Sequence, residues 1–291
     1  MILVGCGSLN AADWSATRQL PASEAHQAAA AEGEFVYAIT SRSVVKYDRA
    51  TGKRLAVSTG AARHLNSGFF WKGKLLLAHS NYPLKPERSE IKVLDVGTMK
   101  LTTFKAFGKA GGSLVWVLRK DGHWWCNFAH YGADNAKTFL AKYDDQWREL
   151  ARWTYPQKVI SQLGRYSLSG GIWRGDELWV TGHDDPVAFR LRLPKAGGVL
   201  EYVDQHAVPF TGQGLANDPV TGGLIGINRA RRQVVFAGQQ GIRLRVLCYN
   251  IHHAAGVDRK LDVPRIAKVI LSVKPDLVAL QEVDNKAGRS E

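Results

Sequence analysis

The chain has 291 residues, of which 45% are hydrophobic and 22% charged, with a formal net charge of +13. That is an ordinary composition for a soluble globular protein, long enough for two domains or one large all-β domain. It excludes a membrane-spanning helix, because no apolar run approaches the roughly 20 residues such a helix needs. Three cysteines, Cys6, Cys126 and Cys248, are too few and too scattered for a disulfide framework. The positive charge makes nucleic acid a candidate partner, since Lys and Arg hold phosphate backbones. Only Arg229-Ala-Arg231-Arg232 approaches a basic cluster, so a solvated basic surface is the simpler reading.

Residues 1–12 read as the remnant of a leader. Met1-Ile-Leu-Val-Gly-Cys6 has the end of an apolar stretch and resembles a bacterial lipoprotein pattern. It lacks the positive start and the about 7–15 apolar residues of a complete signal. The expectation is an exported parent protein, periplasmic, envelope-bound or extracellular, with lipidation of Cys6 a lesser alternative.

Residues 13–238 read as short strands punctuated by Gly, Asp and Asn, with no long amphipathic helix. They repeat weakly at the 40–50 residues typical of propeller blades. The first unit holds Phe35-Val-Tyr-Ala-Ile39 and Val44-Val-Lys-Tyr-Asp48; the second runs from Leu65 to His79, then Ile91–Asp95 and Leu101–Phe104. The third holds Gly112–Trp116, Trp124–Phe128, Phe139–Asp144 and Glu149–Trp153, and the fourth Leu168–Val180, Ala188–Arg192 and Glu201–Val203. The last starts at Gly212-Gln-Gly-Leu, reaches Gln233–Phe236 and lacks a fourth strand, which Trp14–Leu20 at the other end of the repeat can supply. Such closure removes exposed sheet edges. The fold class is therefore mainly β, a five-bladed β-propeller with six blades as the alternative, followed by an incomplete α/β segment. Small residues in the first strands suit the crowded axis, and the nine tryptophans are read as packing between blades.

Residues 239–242 form a short polar linker, after which the pattern becomes strand, helix, strand. Leu244-Arg-Val-Leu-Cys-Tyr-Asn250 is the first strand and Pro275-Asp-Leu-Val-Ala-Leu-Gln-Glu282 ends the second. Between them Asp262 is a candidate N-cap with Pro264 in the first turn. Ile266, Val269, Ile270 and Val273 fall at the spacing of one buried helical face. A right-handed crossover would leave Asn250 and Glu282 on one edge of a parallel sheet, where an amide and a carboxylate suit Mg²⁺ or Mn²⁺.

On Tyr249-Asn250, Gln281-Glu282, Asp276, Asp284 and Arg289, residues 243–291 resemble the N-terminal part of the endonuclease/exonuclease/phosphatase family. The resemblance implies an α/β sandwich that hydrolyses phosphate esters, with Glu282 as metal ligand and Asn250 beside metal and phosphate. It implies a phosphate-ester substrate, nucleic acid among the candidates. Ala254 departs from a glycine frequent after the His-His pair. The family's downstream Asp/Asn pair and terminal Asp-His have no counterpart before Glu291, so the expectation is a truncated domain, inactive by itself, whose parent is a hydrolase.

Within the propeller, His79 and Asn81, Asn127 and His130, His183-Asp-Asp185 and Asn228 recur after second strands. In register they would ring one end of the channel as a metal or sugar site, against a plainer reading as turn and lining residues. This supports a rival in which the propeller itself is a lactonase- or cyclotransferase-like enzyme. A non-catalytic binding module is the second rival. His123 and Cys126 face opposite ways along a strand and do not make a zinc site. Gly212–Asn217 lacks a dinucleotide fingerprint, and Ser167–Ser169 lacks the helix of a nucleophile elbow.

Overall fold

The structure, a computed structural model, describes residues 14–239, 245–255 and 258–283. The proposed leader with Cys6, linker residues 240–242, Asp284 and Arg289 lie outside the described residues. The chain divides into two units, residues 1–240 and 241–291.

The first unit is five four-stranded antiparallel sheets, and hence five blades rather than six. Blade 1 comprises Ala28–Glu32, Phe35–Ile39, Val44–Asp48 and Arg54–Val57; blade 2 comprises His64–Trp71, Lys74–Ser80, Ser89–Asp95 and Lys100–Gly108. Blade 3 comprises Ser113–Lys120, His123–Ala129, Phe139–Tyr143 and Glu149–Thr154; blade 4 comprises Gly170–Arg174, Glu177–Thr181, Val187–Arg192 and Glu201–Ala207. Blade 5 takes Thr211–Asn217, Leu224–Asn228 and Gln233–Gln239 from its own repeat, and Trp14–Pro21 as its outermost strand. Trp14 pairs with Gln239 and Pro21 with Gln233, so the predicted closure strand is in place.

Closure is also made by side chains. Both Nη atoms of Arg49 in blade 1 donate to the Asp218 carboxylate in blade 5, at 2.8 and 2.6 Å. Asp218 is buried and also accepts from the Val220 N–H and the Thr221 hydroxyl. Burial alone would raise its pKa, but the Arg49 and Thr221 hydrogen bonds outweigh that and hold it below the usual carboxylate value.

The first strand of every blade faces the axis. A Cβ on Gly214 would overlap Ala28 and stand 2.9 Å from Ser67 Oγ, and one on Gly171 would stand 2.6 Å from the Trp116 ring. Polar bonds tie the blades together there: Ser67 Oγ donates to Ser169 O at 2.9 Å, and Asn66 Nδ2 to Leu114 O at 3.0 Å. Tryptophans fill the seams farther out. Trp71 meets Trp124 at 4.9 Å, Trp125 meets Trp173 at 5.1 Å and Trp14 meets Trp179 at 5.8 Å, each pair bridging two blades. The expected blade-to-blade packing is thus what these rings do.

In the second unit, Val246–Asn250 pairs in parallel with Leu277–Gln281 across the helix Val263–Val273. Asp262 caps that helix by accepting from the Arg265 N–H at 2.9 Å, as its position predicted. The predicted buried face is not buried: Val269 and Val273 are 42% and 47% exposed, and no residue of the helix is buried. Two strands and one helix offer no second layer within the described residues to cover that stripe. Among the described residues no helix is long and apolar enough to cross a membrane.

Candidate functional site

A first strand starts, and a second strand ends, at the same mouth of the channel. The segment entering blade 1 brings His26 to that mouth, the first residue of blade 2 brings His64, and the segment before blade 4 brings Tyr166. His183 follows the second strand of blade 4, and Arg229 follows that of blade 5. Their side chains converge around Arg229. Its Nη1 donates to His183 Nε2 at 3.2 Å, and its Nη2 donates to His26 Nε2 at 3.1 Å.

Those contacts fix the protonation states. A guanidinium only donates, so each Nε2 facing it must present a lone pair. His183 Nδ1 then carries the proton, donated to Asp184 Oδ1 at 2.6 Å. The pKa values of His26, His64 and His183 all lie below the ordinary value, through burial first. The Arg229 charge adds to the fall at each, and at His183 the Asp184 carboxylate opposes it. The mouth therefore holds neutral imidazoles around one fixed cation.

His183 stacks on Tyr166, with ring centroids 3.8 Å apart. The stacked pair forms one wall of a cavity of about 510 Å³ that Arg165, Asp184 and Asp185 also line, and that touches the cluster through His183, with Arg229 and His26 outside its lining. Gln213 Nε2 donates to the His183 carbonyl at 3.0 Å and fixes the backbone beneath that wall.

Of the residues expected to ring this mouth, the structure assembles only some. His183, Asp184 and Asp185 are there, and Arg229 stands directly after Asn228. Asn228 itself caps a turn by accepting from the Arg231 N–H. Asn81 braces its loop through Pro86 O and the Arg88 N–H. Asn127 is fully buried and accepts from the Tyr155 hydroxyl. His79 accepts from the Arg63 N–H at Nε2 and faces Glu90 with Nδ1. His26 and Tyr166 were missed because they precede first strands and His64 because it opens one, whereas the pattern was sought after second strands.

In the second unit Asn250 ends one parallel strand and Glu282 follows the other. Asn250 Nδ2 donates to Glu282 Oε1 at 2.8 Å, although the residues lie 32 positions apart. His253 Nε2 stands 3.6 Å from Glu282 Oε2, and Asp276 accepts from the Arg245 N–H. The Asn250 amide oxygen accepts from the His252 N–H at 2.9 Å, so its NH₂, not its oxygen, faces the carboxylate. Turning that amide over would present two oxygens to a cation and forfeit the His252 bond. As they stand, the Asn250 amide donates to the Glu282 carboxylate and the two present no pair of oxygens to a cation. Among the described residues no three His, Cys, Asp or Glu side chains gather in one metal-holding group.

No protein-family model matches the chain. No curated protein matches it either. Among solved structures it is similar to the glutaminyl cyclase of Myxococcus xanthus, with a TM-score of 0.55 at 8% identity over 80% of this chain and 98% of that one. It is also similar to the Cps50 (Swd1) β-propeller domain of Myceliophteria thermophila, with a TM-score of 0.45 at 9% identity over 78% and 100%. Hydrazine synthase of Kuenenia stuttgartiensis gives 0.42 at 8% identity over 72% and 70%. The last two scores are too low to carry an argument. The first, at so low an identity, shows the fold alone: a five-bladed β-propeller.

Proposed function

We propose that the chain is a propeller enzyme of the cyclotransferase type, acting at the mouth where Arg229 meets His183 and His26. The reaction is attack of an amine on a carboxamide carbon of the same molecule. A C–N bond forms, the amide C–N bond breaks, and the amine proton leaves with ammonia. The supporting observation is one guanidinium held between the Nε2 atoms of two neutral imidazoles at 3.2 and 3.1 Å.

Each group suits a step. An imidazole that stays neutral at pH 7 can take the amine proton and return it to the leaving nitrogen. His183 is oriented for this by Asp184, which holds Nδ1 and leaves Nε2 to exchange its Arg229 bond for a substrate N–H. Arg229 is the donor for the oxygen that becomes negative as the carbon turns tetrahedral. Asp184 and Asp185 beside the cavity attract an amino terminus, and about 510 Å³ accommodates a residue or two of peptide. The M. xanthus protein of similar fold is a glutaminyl cyclase, which makes a peptide with N-terminal glutamine the first substrate to try.

The test is ammonia release from such a peptide by the full chain. Replacing Arg229 by Gln should lower kcat by about 10²–10³, the usual loss for an oxyanion donor. His183→Ala should lower it by at least about 10². Absence of ring closure, or unchanged rates in both variants, overturns the reading.

A second reading rests on the Asn250–Glu282 contact. We propose that residues 243–291 supply part of a phosphoesterase metal site, in which Glu282 and Asn250 would hold Mg²⁺ or Mn²⁺ and the metal would supply Lewis acidity. Metal-dependent hydrolysis of bis-p-nitrophenyl phosphate by the parent protein should then vanish in Glu282→Gln. Equal rates would remove Glu282 from the site.

A further inference from the structure

The Arg229 mouth carries a second cavity, of about 710 Å³, lined from blades 1 and 2. Ser41 and Arg42 reach it from the turn after the second strand of blade 1, and Arg63 and His64 from the entry to blade 2. Tyr82, which follows the second strand of blade 2, adds a ring 5.3 Å from that of His64. No carboxylate stands among its described lining residues. It is therefore opposite in sign to the cavity beside His183, which Asp184 and Asp185 line.

The arginines of this mouth lack the partners that arginines have elsewhere. Away from it, Arg49, Arg119, Arg148, Arg152, Arg190 and Arg192 each pair with a carboxylate. At the mouth, Arg42, Arg63, Arg231 and Arg232 are held through backbone atoms: the first three donate their N–H groups, and the Arg232 carbonyl accepts. Arg229 faces two imidazoles. Among the described residues none of these five guanidiniums has a carboxylate partner. The result is a field of one sign over a concave surface, which draws anions in.

Two features favour a peptide over a nucleic acid as the anion. Asp184 and Asp185 at the same mouth would repel a phosphate backbone, yet they suit an ammonium group. Arg42 and Arg63 stand at a closed-in cavity rather than along a stripe that a strand could follow. We propose that the Arg42–Arg63 cavity takes the carboxylates of an acidic peptide segment whose amino terminus lies toward Asp184 and Asp185. This narrows the substrate class to peptides with acidic residues after the first, and it rests on the reading of this mouth as a site for peptide amino termini.

The probes are the peptide amides Ala-Glu-Ser-Glu-Asp and Ala-Gln-Ser-Gln-Asn, titrated calorimetrically into the full chain. Neither can cyclise, so binding is read apart from turnover. The acidic peptide should bind at least about tenfold more tightly at about 50 mM salt, and this advantage should shrink at about 500 mM. Arg42→Gln combined with Arg63→Gln should reduce it at least about fivefold. Neither side chain anchors another group, so the fold is kept. Lys72→Gln, in the turn after the first strand of blade 2 at the opposite mouth, should leave it unchanged. Equal affinity for the two peptides would overturn the proposal, as would an acid preference that survives the double variant or falls as far in Lys72→Gln. Tighter binding of a single-stranded oligothymidylate would overturn it in favour of nucleic acid. An acid preference without ammonia release from the glutamine-headed acidic peptide would sink the cyclotransferase reading and leave this site standing. Ring closure without acid preference would do the reverse.

Discussion

Replacing Arg49 by Met tests whether the ring is sealed between blades 5 and 1 as described. The Asp218 side chain has no solvent exposure and Arg49 only 14%. Losing both guanidinium bonds would strand a buried carboxylate with the Val220 N–H and Thr221 hydroxyl alone. Removing one partner of a buried pair costs about 3–5 kcal/mol, and the two surviving bonds place this case near about 3 kcal/mol. For a domain of this size that is a fall in Tm of about 10 °C. Urea denaturation followed by tryptophan fluorescence gives the free energy, and circular dichroism gives the melt. Adding Asp218→Asn to Arg49→Met should recover part of the loss, because no charge is then left buried. Acid should narrow the gap between wild type and Arg49→Met. A carboxyl whose folded pKa is lowered contributes stability above the unfolded value near 4 and loses it as pH falls through the folded value. A loss below about 1 kcal/mol, or a double variant no better than the single, would refute the buried-pair argument.

Trp14→Ala should be at least as damaging, about 3–5 kcal/mol by urea denaturation, because Trp14 is 6% exposed and packs from the closure strand of blade 5 onto Trp179 of blade 4. A small effect would mean that the strand from the far end of the repeat is dispensable. The pH–rate profile of ammonia release should show an acid limb whose midpoint lies below the ordinary histidine value. In Arg229→Gln that limb should move to higher pH, since a cation that depresses the His183 and His26 pKa values is gone. A limb that stays in place would separate Arg229 from the base.

The blade count was legible because turn residues interrupt apolar strands at a steady spacing, and because the last repeat stopped a strand short while Trp14–Leu20 stood unassigned. Packing by tryptophan was legible from the same register. The mouth was only half legible. His183 follows a second strand, as the pattern required, but His26 and Tyr166 sit in the irregular segments between blades, where no period applies. The failure at His79 and Asn127 is physical: each took a nearer hydrogen-bond partner, the Arg63 N–H and the Tyr155 hydroxyl. The helix of the second unit has the spacing of a buried face, yet Val269 and Val273 are exposed. Amphipathic spacing records that a face needs covering, without naming what covers it.

The most direct measurement is an NMR titration of the His26, His64 and His183 ring nitrogens, with and without a peptide amide carrying N-terminal glutamine. The account predicts three imidazoles that titrate below the ordinary histidine value, with the His183 and His26 Nε2 resonances shifting together as the peptide saturates the mouth. Ordinary titration at all three, or a peptide that binds while leaving both Nε2 resonances unmoved, would contradict it.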